Sequence, residues 1–264
     1  LRILSEDEAV MLSNKDKVKF EPKIDYDKFT NTMKLELKIG NKRMYKIKDL
    51  PEFYTRMVNN EYFKYGEKLE FVHNRENFAD EAKPLLDFIL RYAEIMKFSN
   101  SSDRYGYYYS SSINKAEITL GEGIIDEIYD LLKDKKVNYT YDYTNYKLEF
   151  IEQNPQIEFE LSKISEDELL LKPNVDVFKL AIFNGHKYDY LLIENKFYRC
   201  DKEFSDTTLK VIKAFRENYT SEMLLRKKDL KDFYSVIMPK IENNVKVEGL
   251  DEEEIEKFRP EKLA

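Results

Sequence analysis

Apolar residues recur at every second position in two separate places, and this constrains the fold most. Met33, Leu35, Leu37 and Ile39 alternate, Gly40-Asn41 interrupts, and Met44, Tyr45 and Ile47 resume. A period of two puts one set of side chains on one face of a pleated strand, so the stretch predicts a hairpin. Gly40 is expected to supply positive φ in its turn at no steric cost. A second such unit runs from Phe178 to Phe183, through Asn184-Gly185, to Tyr188, Tyr190 and Leu192. Asn-Gly favours a two-residue type I′ turn, which needs positive φ twice.

Other segments follow the same two periods. Val18, Phe20, Ile24 and Tyr26 share a face, and Pro22, lacking a backbone donor, suggests an edge strand or a bulge. Leu69 and Phe71 mark a strand; Val137, Tyr139, Tyr141 and Tyr143 alternate strictly, and Leu148, Phe150, Ile157, Phe159 and Leu161 flank Pro155. Ser5 and Glu8 have capping-box spacing ahead of a short opening helix. Asp49 reads as an N-cap before Pro51, with Phe53, Met57 and Val58 as the buried face. Residues 84–96 predict the strongest helix of the first half, from Pro84 through Leu85, Phe88, Ile89, Tyr92 and Met96. Further helices carry Ile124 to Leu132, Leu209 to Phe215, and Leu230 to Ile237.

The expected fold class is therefore α+β, mainly antiparallel strands in hairpins with several packed helices. Its two halves echo one another, as either a duplicated unit or ordinary α+β construction allows. The expected divisions are a first α+β half at 1–98, a flexible Ser/Tyr-rich loop at 99–116, a strand-rich second half at 117–247, and an acidic tail at 248–264.

Composition narrows the function classes. With 42% apolar and 14% aromatic residues the chain can build a core and is not disordered. No run approaches a membrane span. The net charge of −7 repels nucleic acid on average. The single Cys200 cannot form an internal disulfide, which fits a cytoplasmic setting, where the sequons at Asn138 and Asn218 are chance matches. A start at Leu1 suggests a piece of something longer.

Catalytic signatures are missing. Gly66-Glu67-Lys68 lacks both the upstream glycine and the hydroxyl residue of a phosphate-binding loop. Asp80-Glu81-Ala82-Lys83 precedes a helix, where acids favour the dipole, and so reads as a helix N-terminus instead of a helicase acidic box. Two histidines, His73 at a strand end and His186 in the Asn-Gly turn, with one Cys, do not make a zinc site; both read as surface or partly buried residues. Cys200 reads as a small core residue. The acids stand in no motif that would support a hydrolase. No catalytic, cofactor-binding or metal residue is assigned.

Two segments have the chemistry to touch nucleic acid. Arg226, Lys227, Lys228 and Lys231 form a basic cluster at a strand-to-helix junction, able to contact phosphates or simply to be solvated. Arg104 to Tyr109 could stack bases or pack as an aromatic strand.

Several stretches carry a family likeness: Leu35 to Gly40, Tyr45 to Phe53, Phe63 to Gly66 with Leu69 to Phe71, Phe178 to Gly185, Tyr190 to Ile193, Phe197 to Arg199, and Phe233 to Pro239. Together they resemble the bacterial Swi/Snf-type helicase-associated domain, over nearly the whole chain. The resemblance implies a non-catalytic accessory domain of an ATP-dependent DNA helicase or translocase. It also implies ATP and magnesium in the parent's ATPase lobes, zinc in an upstream finger, and those lobes as the partner. DNA would be met through the parent, weakly or not at all by this piece alone. It brings no catalytic residues to this chain. The alternative left by the residues is a free-standing protein-interaction scaffold unrelated to DNA.

Overall fold

A computed structural model describes residues 17–102 and 114–248. The expected opening helix, most of the Ser/Tyr-rich stretch with Arg104 to Tyr109, and the acidic tail beyond Glu248 lie outside the described residues. The fold is α+β, and it divides into two compact units between Leu148 and Glu149.

The first unit is organised around β1 (Lys19–Asp27) and β2 (Thr32–Gly40), an antiparallel pair. Met33, Leu35, Leu37 and Ile39 are all buried, as their spacing requires. β3 (Met44–Lys46) and β6 (Glu117–Thr119) share the far edge of β2. β7 (Val137–Tyr141) lies parallel to β1 on its other side and forms a hairpin with β8 (Thr144–Ile151). A small hairpin, β4 (Tyr62–Gly66) and β5 (Leu69–Val72), stands apart from this sheet.

Among the described residues, three α-helices pack in this unit. α1 (Leu50–Val58) begins at Asp49, whose carboxylate accepts the Glu52 amide at 2.8 Å. Leu50, Pro51 and Phe53 are its buried residues; Val58, expected inside, faces solvent in the last turn. α2 (Lys83–Ser102) buries Leu85, Leu86, Phe88, Ile89 and Ala93. It runs past the expected stop at residue 96 into the serines, because extending a formed helix costs little. α3 (Glu122–Leu132) buries Ile124, Ile125, Ile128, Tyr129 and Leu132.

In the second unit, residues 149–151 of β8 run parallel to β13 (Lys196–Cys200), which continues antiparallel to β12 (Asp189–Ile193) and β11 (Ala181–Asn184). A four-stranded sheet has the order β14 (Met223–Arg226), β10 (Glu168–Pro173), β9 (Phe159–Ser165), β15 (Val245–Glu248). α4 (Lys202–Asp206) and α5 (Thr208–Glu217) bury Phe204, Leu209, Ile212 and Phe215 in one core with Phe159, Leu161, Leu169 and Leu171. The segment from Leu230 to Ile241 is a short α-turn α6 (Leu230–Asp232), a π-helical turn (Phe233–Ile237) and α7 (Met238–Ile241). Pro239 has no N–H to return to the preceding turn, which loosens the ladder there.

Several sequence expectations need correction. β1 is an interior strand; Pro22 is accommodated because the β1–β7 ladder starts only at Lys23. Gly40 is required by close approach: a Cβ there would sit 2.0 Å from the Arg43 carbonyl oxygen. The Asn184-Gly185 hairpin forms, but Asn184 pairs with Asp189, leaving a four-residue loop instead of a type I′ turn. The strand expected from Phe178 begins at Ala181. The tight turn falls instead at Asp142-Tyr143, with φ of 49° and 63°, so Tyr143 is a hairpin tip and not a strand residue. β6 and β7, on the far side of residues 99–116, pair with β2 and β1 and so belong to the first unit.

Candidate functional site

The basic cluster lies where β14 turns into α6. Leu225 before it and Leu230 and Phe233 after it are buried, so the chain is pinned on both sides and the residues between are forced outward. Asp229 fixes the turn. Its carboxylate accepts the Arg226 amide at 3.1 Å, and its own amide donates to the Arg226 carbonyl at 2.7 Å. Lys227, Lys228 and Lys231 are exposed, and no ion pair joins them to another described residue.

Arg226 differs. Its register opposite Glu168 on β10 lets Nε donate to the Glu168 carboxylate at 3.3 Å. The structure thus brings three lysines together on solvent and ties the arginine to the sheet. Against Glu168, Asp229 and Asp232 the local surplus is small. The turn can meet a phosphate or an acidic side chain, but it does not by itself make an extended basic track.

Other candidates from the sequence take structural roles. Asp80 accepts Lys83 Nζ at 2.7 Å, and that bond holds its carboxyl below the usual range. Glu81 pairs with Lys19 at 2.8 Å; both acids belong to the turn that leads into α2. Cys200 is buried, and burial pushes its thiol up to about 12. Among the described residues no group of three or more His, Cys, Asp or Glu is placed to hold a metal ion, and no helix is long and apolar enough to cross a membrane.

His73 is the main correction. It is fully buried, where the sequence predicts a surface or partly buried residue. Its Nδ1 lies 3.1 Å from the Glu61 carbonyl, which makes that nitrogen the donor. Nε2 then accepts the Tyr65 hydroxyl at 2.8 Å. The ring stacks on Phe71 with centroids 4.3 Å apart and meets Phe53 edge-on. Burial drives its pKa down to about 4, with the Arg56 charge adding to this and the bond to Glu61 opposing it. Arg56 lies over the Phe63 ring at 3.4 Å and pairs with Glu52. Beside this cluster opens a cleft of about 370 Å³ whose lining includes Tyr45, Lys48, Arg56, Phe63 and Tyr65. The aromatic alternation through Phe63, Tyr65, Phe71 and His73 was the available signal for it.

The sequence matches the family described as bacterial SNF2 helicase associated over residues 117–264, more than half of the chain. The chain belongs to that family. The matched part of this SNF2 helicase-associated chain runs from β6 onward and takes in the whole second unit, including the lysine turn. Association with SNF2-type helicases in an accessory capacity follows from membership. No curated protein and no solved structure gives a significant match.

Proposed function

We propose that this chain is a non-catalytic accessory domain of a SNF2-type ATP-dependent DNA helicase or translocase, and that it positions or regulates the ATPase lobes of its parent. The observation that carries this reading is the family match from residue 117 to 264. ATP and magnesium then belong to the ATPase lobes and zinc to an upstream finger, all outside this chain. The setting is the bacterial cytoplasm. DNA is met through the parent, with Lys227, Lys228 and Lys231 as the surface of this chain turned toward it and Arg226 bracing the turn. With a net charge of −7, the isolated chain binds duplex weakly or not at all at physiological salt.

The test uses the full reading frame to which this chain belongs. DNA-stimulated ATP hydrolysis by the parent is measured with these residues present and deleted. The expected result is altered stimulation with nucleotide binding retained. Unchanged stimulation refutes the accessory role, as does magnesium-dependent ATP turnover by residues 1–264 alone. Lys227→Glu with Lys228→Glu should reduce the parent's DNA-dependent rate and flatten its salt dependence; an identical salt slope would clear the cluster.

A further inference from the structure

The parallel pairing of β1 with β7 sets two turns side by side at one end of the first unit's sheet, since Tyr26 lies opposite Tyr141. The turn after β1 presents Phe29, 89% exposed, and the turn after β7 presents Tyr143, 99% exposed. Neither ring contributes to the core. Tyr143 also holds φ at 63°, a conformation in which Gly or Asn is the inexpensive choice. The fold therefore gains nothing from tyrosine at this position, in packing or in backbone.

The two tips are held in place. The Asp27 carboxylate accepts the Phe29 amide at 2.8 Å, and the Tyr26 hydroxyl donates to the Asn31 side chain at 3.1 Å. Tyr26 and Tyr141 stack behind them with centroids 5.9 Å apart. Lys28 joins the tips: it lies 5.5 Å from the Phe29 centroid, 5.8 Å from that of Tyr141, and 3.2 Å from the Asp142 carboxylate.

We infer that this knuckle of Phe29 and Tyr143 is a docking surface that inserts into an apolar socket on a folded protein partner. The inference rests on the proposed accessory role, which makes the partner the parent's ATPase region. Charge selects the class of occupant. Lys28 is answered by Asp142, Lys34 by Glu117 at 3.4 Å, and Lys23 by Asp25 at 4.0 Å. A base-stacking platform works together with a positively charged groove, and here every cation of the tip has an acid beside it. Aromatic side chains on hydrogen-bonded turns, within a charge-balanced polar rim, have the composition of a protein–protein hot spot.

Tyr143→Gly separates docking from folding, because it removes the ring and relieves the backbone together. The 264-residue chain is titrated calorimetrically against the ATPase region encoded in the same reading frame, with Phe29→Ser and Tyr143→Gly tested singly and together. Each substitution is expected to weaken binding by about tenfold or more, as loss of a hot-spot aromatic does. The melting midpoint of Tyr143→Gly should equal or exceed that of the unsubstituted chain. Equal affinity for the unsubstituted chain and the double variant overturns the inference and leaves the accessory role standing. No binding by the unsubstituted chain overturns both. A lower melting midpoint in Tyr143→Gly makes the defect one of folding and also overturns it. Oligonucleotide binding abolished by the double variant would assign the knuckle to nucleic acid, and a dimer dissolved by it would assign the knuckle to a second copy; either result overturns the protein-partner reading.

Discussion

His73 should make the first unit sensitive to mild acid. In the native chain its imidazole is neutral, donating to the Glu61 carbonyl and accepting from Tyr65, with Arg56 nearby to oppose protonation. Its pKa is lowered by burial to about 4, against about 6.5 for an unfolded histidine. Between these values the unfolded chain binds a proton that the native chain does not. The contribution is therefore complete above the unfolded value and is lost as pH falls toward the folded one. At about pH 5 the two-site proton balance gives a loss of about 2 kcal/mol from this group, against a limit of about 3 kcal/mol. Urea unfolding at about pH 7.5 and about pH 5 measures it, for the unsubstituted chain and for His73→Gln. The variant has lower stability at both pH values because it loses the ring contacts, so only the change between them is informative. The unsubstituted chain should lose about 2 kcal/mol more than the variant on acidification. Equal losses would refute the assignment of a buried, neutral histidine.

Gly40→Ala should destabilise the β2–β3 hairpin by about 1–3 kcal/mol, because the new methyl meets the Arg43 carbonyl, a backbone group that cannot swing away; an unchanged thermal midpoint would contradict the close approach. Cys200 should resist thiol reagents at about pH 8 in the native chain and react only as the second unit opens, since burial holds its thiol near 12. Immediate labelling without denaturant would show that the thiol is open to solvent.

The strands with one buried face were legible from the residues. Met33, Leu35, Leu37 and Ile39 are written for a face, and slipping the register by one would turn all four outward. The cap at Asp49 was legible for a local reason, since a side chain and an amide three residues on suffice to form it. The parallel pairs were not legible. β1 with β7, β8 with β13 and β9 with β15 join distant segments with no local signal, and the division at residue 148 follows from the first of them. Turn chemistry was legible only in part. Asn184-Gly185 marks a hairpin but not its loop length, while Asp142-Tyr143 makes a tight turn despite a tyrosine that sequence preference would place in a strand. For the candidate site, the run of basic residues was visible as charge. The tie of Arg226 to Glu168 required the register of β10 against β14. His73 looked like a strand-end residue because Tyr65, Phe71 and Phe53 close over it only in three dimensions.

The parallel ladder between β1 and β7 also imposes an order of events at the ribosome. β1 can zip to β2 as soon as both have emerged, but its other flank waits for a strand more than a hundred residues later. At roughly 5–20 residues per second, that edge stays open on the order of ten seconds during translation. An unpaired strand edge is a template for other nascent chains. Pro22 lies just before the first rung of that ladder and has no N–H to offer, which makes the open edge a poorer template there.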